Sequence, residues 1–247
     1  MSRYFLIPFL PELKFETSPE ISSQELLFYL QQNLSRSEMQ DVDRLQTLQD
    51  LENLRSFFLV TPMMVQGSIS HEELVIALRD PEFIPRGAEV FYKTYKTLSD
   101  RQKYAHELIH SFLKNQKKPA GFVHRYFRFE NTCRLVFSWL RAQALQREVT
   151  IDPEEIGFDI TDTAQWPEPF QELLRIWKTK GGSPSELEAA ISQWKFHAVD
   201  ALCDQEDPFS LDLVFAYIVK LRKLEERQSM NDPRNQKTLQ EMVTAHD

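Results

Sequence analysis

The chain has 247 residues, 42% hydrophobic, 27% charged and 12% aromatic, with a formal net charge of -8. That length and balance exclude an intrinsically disordered chain and predict one domain, or two small ones tightly joined. The acidic balance argues against nucleic acid as a partner, because binding to a phosphate backbone needs a cationic face that displaces counterions. With only 6 glycines, glycine-rich phosphate loops are scarce and helix formers dominate.

No segment approaches the roughly 18 consecutive apolar residues of a membrane helix, so no direct membrane insertion is expected. The opening "MSRYFLIPFLPELKF" is apolar, but Pro8 and Pro11 interrupt it and no small-residue cleavage site follows. Cys133 and Cys203 are too few for a disulfide framework or a cysteine-rich metal site. They read as small core residues in a reduced cytoplasm.

Along the chain, residues 22–34 place Leu26, Leu27, Leu30 and Leu34 on one helix face. A second helix over 37–58 carries Met39, Val42, Leu45, Leu48, Leu51 and Leu54, and Pro62 ends it. After Gly67, Ser70 and Glu73 form a capping box that opens a helix through Leu74, Val75 and Leu78. A helix follows near 88–98, and Ser99 or Asp100 starts another that runs to about Asn115. The stretch 115–121, "NQKKPAG", is a loop.

The longest helix is expected over 123–147, with Phe129, Cys133, Val136, Leu140 and Ala144 on its buried stripe and Arg125, Arg128 and Arg141 off it. Prolines and β-branched residues break the helical rhythm near 148–169, so that segment is an irregular connection, with room for a short strand, and a possible internal boundary. Helices resume over 170–178, 185–203 and 208–227, the last with Asp207 as N-cap and Pro208 at its first position. A final amphipathic stretch after Asp232 and Pro233 carries Leu239, Met242 and Val243. The repeated Glu-Asn of "LENLRSFF" and "FENTCRLVF" is a weak echo between the halves.

One motif suggests covalent chemistry. His106-Glu107-Leu108-Ile109-His110 spells H-E-x-x-H, in which two imidazoles one turn apart grip zinc and the glutamate serves as general base. Glu130, twenty positions beyond His110, fits the third-ligand spacing of thermolysin-like peptidases, and His124 is a second candidate. A zinc metallopeptidase using His106, His110 and Glu130 with Glu107 as base is therefore one alternative.

Lys103 and Lys114 lie one turn to either side of the histidines, and cations there oppose a divalent metal. Tyr104, Leu108, Ile109 and Phe112 already account for the periodicity, and Leu113 and Gln116 stand where a metzincin continuation needs glycine and histidine. Surface histidines on an amphipathic helix are the favoured reading, with no metal and no cofactor. Glu154-Glu155 and Glu225-Glu226 are sequence-adjacent, which sends their side chains apart on a helix, and His197 reads as a core-edge residue beside Phe196.

Three stretches carry a family resemblance. The opening "RYFLIPFLPELKF" resembles the "Y-Y-x-L-I-x-x-L-P-D-L" signature of bacterial proteins encoded with V-type ATPases. Those proteins are related to the C-type subunit of the prokaryotic enzymes, the counterpart of the eukaryotic d-type subunit. The matching positions are Tyr4, Phe5, Leu6, Ile7, Leu10, Pro11, Glu12 and Leu13, with Glu12 in place of aspartate. "FRFENTCRLVFSWLRAQAL" and "DPFSLDLVFAYIVKLRKLEE" resemble that family's "F-E-x-N-x-x-N-x-L-T-A-L" and "F-S-x-x-x-x-x-A-Y-L-L-K-L" helices.

The resemblance implies an all-α fold of stacked helix bundles, as in the C-type subunit. It also implies a non-catalytic role linking the central stalk of a V-type ATPase to its membrane rotor ring. The protein would then be cytoplasmic and peripheral to the membrane through the complex. The chain is shorter than a full-length C-type subunit, which extends the expectation to an accessory protein. A cytosolic helical scaffold with an unrelated partner is the other alternative. Arg125 and Arg128 are the expected partner-binding residues, at which charge reversal should disrupt contact and leave folding intact.

Overall fold

Three serines, each followed three residues later by glutamate, fix the starts of three helices. Ser22, Ser35 and Ser70 each accept the N–H of Glu25, Glu38 and Glu73 on the hydroxyl, while each glutamate reaches back to the serine N–H. Such reciprocal capping satisfies two of the donors that a helix start leaves open. The computed structural model describes residues 3–59, 67–80, 83–115, 121–204, 206–207 and 209–231. Among these the architecture is all helical, without a strand.

The chain divides into two compact units, the first made of Met1–Pro119 and Tyr217–Asp247, the second of Ala120–Ala216. The irregular connection near 148–169 lies inside the second unit.

The first unit contains α1 (Arg3–Phe9), α2 (Ser23–Asn33), α3 (Arg36–Phe58), α4 (His71–Arg79), α5 (Glu89–Thr94), α6 (Leu98–Lys103) and α7 (Glu107–Lys114). It also takes the part of α12 (Leu211–Asn231) from Tyr217 onward. Its core is the α3 stripe Val42, Leu45, Leu48, Leu51, Leu54 and Phe58, all buried together with Leu26 and Leu30 of α2 and Leu108, Ile109 and Phe112 of α7. A fully buried leucine contributes on the order of 2 kcal/mol, so this stripe is a principal source of the unit's stability.

The two ends of the first unit's sequence are joined by polar contacts. Glu225 accepts the N–H of Ser23 at 2.7 Å and its hydroxyl at 2.6 Å. Arg227 donates to the Phe15 carbonyl, and its guanidinium lies 4.5 Å from the centroid of the Phe15 ring. Arg222 donates to the Leu45 carbonyl at 2.7 Å.

Asp50 is a buried acid on α3. Its carboxylate accepts the N–H groups of Ser68, at 2.7 Å, and Ile69, at 3.2 Å, and the Ser68 hydroxyl, tying α3 to the entry of α4. Gly67 permits this close approach, because a Cβ at that position would stand 2.0 Å from Asp50 Oδ1 and the carboxylate would have to move. Arg101 is buried as well, 4.0 Å over the Tyr92 ring, and donates to the carbonyls of Tyr95 and Lys96 just beyond α5.

The second unit contains α8 (Phe122–Ala144), α9 (Pro153–Ile156), α10 (Glu168–Lys180), α11 (Pro184–Ala198), a 3₁₀ turn at Val199–Leu202 and the start of α12. Its core is aromatic: Phe129, Phe158, Phe170 and Trp194 pack with ring centroids 5.5–6.2 Å apart. The 148–169 connection forms the single turn α9, capped by Asp152 and closed by Gly157 at φ 87°, then a 3₁₀ turn at Thr163–Gln165. It adds Ile151, Ile156, Ile160 and Trp166 to the core, with Trp166 Nε1 donating to the Ile160 carbonyl at 3.1 Å.

Several expected boundaries move. The single helix expected from 99 or 100 to 115 is two, α6 and α7, separated at Tyr104, Ala105 and His106. Short-range bonds from Glu107 N–H to the Tyr104 carbonyl and from Leu108 N–H to the Ala105 carbonyl tighten the chain there. Tyr104 stacks on Tyr95 with centroids 4.7 Å apart. In α8, Ala142 is buried and Ala144 exposed. Asp207 accepts the Phe209 N–H at 2.9 Å in a local turn, so α12 starts at Leu211 rather than 208. Pro62, the residues 116–120, Pro208 and the stretch bearing Leu239, Met242 and Val243 lie outside the described residues.

Candidate functional site

The histidines of the H-E-x-x-H motif occupy different environments. His106 is the N-cap of α7 and exposed, 3.5 Å from the Glu107 carboxylate, whereas His110 lies within α7 and is half-buried. Lys103 and Lys114 are exposed. Both histidines belong to the first unit, and Glu130 and the half-buried His124 to the second. Among the described residues no three His, Cys, Asp or Glu side chains gather where they could hold a metal ion.

Glu130 instead occupies the interior of the second unit. Lys195 Nζ lies 2.8 Å from its carboxylate, with the two side chains 16% and 5% exposed, and the Tyr126 hydroxyl lies 3.3 Å away. A buried ion pair is worth keeping only with good geometry and further hydrogen bonds, because both charges have lost water. The two helices α8 and α11 are thereby held by a specific polar contact inside an aromatic core. Cys133, one turn along α8, is fully buried, and burial pushes its thiol well above the ordinary range, so it is a packing residue and not a nucleophile. Cys203 is buried too, with its Sγ 3.7 Å from the Asp212 carbonyl.

Arg125 and Arg128 are both exposed on α8, but their surroundings differ. Arg125 donates Nε to the Leu202 carbonyl at 2.8 Å and pairs through its terminal nitrogen with Asp212, which also accepts the Asp204 N–H at 2.8 Å. It clamps the 3₁₀ turn and the start of α12 to α8, so charge reversal there strikes the fold, contrary to the expectation from sequence. Arg128 stands near Gly157 and makes no comparable clamp among the described residues.

Arg125→Glu is expected to cost about 2 kcal/mol, by setting a carboxylate against Asp212 and vacating the Leu202 carbonyl. Arg128→Glu should stay within about 0.5 kcal/mol of the native chain. Urea unfolding of both variants checks this, and equal midpoints would remove the clamp.

The sequence pattern does not reveal Lys195, Asp212, Asp50 or Arg101. Their partners are distant in the chain or are backbone carbonyls, neither of which leaves a periodic trace. His197, read as core-edge, is exposed and meets Phe196 edge-on at 5.3 Å.

Comparison with known proteins gives relatives in three chlamydial species, each described as an uncharacterized protein. The Chlamydia muridarum protein is 26% identical over 238 residues, covering 87% of each chain. Those of Chlamydia trachomatis and Chlamydia pneumoniae are 28% and 27% identical, each covering 81% of this chain and 82% of the relative. No solved structure matches. A family model described as "Protein of unknown function (DUF2764)" matches residues 1–246, and the chain therefore belongs to the DUF2764 family.

Proposed function

We propose that this protein is a non-catalytic component or accessory protein of a V-type ATPase, binding the central stalk and the membrane rotor ring and coupling them for ion transport. The observation that carries the reading is the order of three segments, each similar to the C-type family, along one all-helical chain. They fall on α1, α8 and α12, with the match of the first continuing through Leu13.

A coupling component works through broad protein surfaces and not through a reacting centre. The ion pairs of Glu130 with Lys195 and Arg125 with Asp212 serve packing, which fits that role. No helix among the described residues is long and apolar enough to cross a membrane, so contact with the ring would be made by surface side chains. The protein would act on the cytoplasmic side, peripheral to the membrane.

Co-purification of the full chain with the stalk and ring components, at low and moderate salt, is the direct test. Association that weakens with salt is expected, since a partly electrostatic interface is screened, and Arg128→Glu should weaken it without loss of fold. Assembly of stalk and ring with no association of this chain at any ionic strength would remove the role.

A further inference from the structure

We draw no further inference here: the strongest candidate, the exposed aromatic patch that Phe9 of α1 and Phe28 of α2 form around Tyr29, is an unpartnered face, and nothing in the structure shows what covers it.

Discussion

Lys195→Met is expected to destabilise the protein by about 3 kcal/mol, since it takes the ammonium away from the buried Glu130 carboxylate of the second unit. Glu130→Leu should cost a similar amount by leaving the ammonium without its carboxylate. The double variant Glu130→Leu/Lys195→Met should recover most of the loss, because two apolar side chains replace two desolvated charges. Chemical unfolding of the full chain, followed by the fluorescence of Trp166 and Trp194, measures all three. Losses that simply add in the double variant would show that the two side chains do not act as a pair.

Asp50→Ala should cost about 2 kcal/mol, because the N–H groups of Ser68 and Ile69 lose their acceptor at the entry of α4. Asp50→Asn should be far milder. Its carbonyl can accept both N–H groups, and its amide can donate to the Ser68 hydroxyl.

The two side chains differ in titration. Burial raises the Asp50 carboxyl above its ordinary value, opposed by the hydrogen bonds from Ser68 and Ile69 and by the charge of Arg222. The folded state therefore holds this proton more tightly than the unfolded state. Stability from this group is fully present below the unfolded value near 3.8 and is lost as pH rises through the raised folded value. Native stability minus that of Asp50→Asn should accordingly grow as pH falls from neutral through this window. A flat or opposite trend would mean that the carboxylate is better stabilised than its burial implies.

The parts of the fold legible in the sequence are those governed by neighbours within four residues. Ser70 announces a helix through a glutamate three positions on, and the α3 leucines show the buried face directly. The split between α6 and α7 is hidden because Leu108, Ile109 and Phe112 keep a helical spacing that says nothing about a tightened turn just before them. Glu130 is visible as an acid but not as a buried one, since Lys195 lies 65 residues away. Arg125 looks like a solvent-facing cation for the same reason, its partners being 77 and 87 residues distant. Local pattern records which face of a helix is apolar; it does not record which polar side chain on the margin will find a counter-charge.

Gly67 and Asp50 constrain each other's replacement over evolutionary time. Any side chain at position 67 would collide with the Asp50 carboxylate, 2.0 Å from where its first carbon would sit. Drift at this corner must therefore proceed in one order, with Asp50 shortened or turned away before position 67 can change. A lineage carrying alanine or serine at 67 should either lack the aspartate or turn its carboxylate away, and in both cases lose the anchor that fixes the entry of α4.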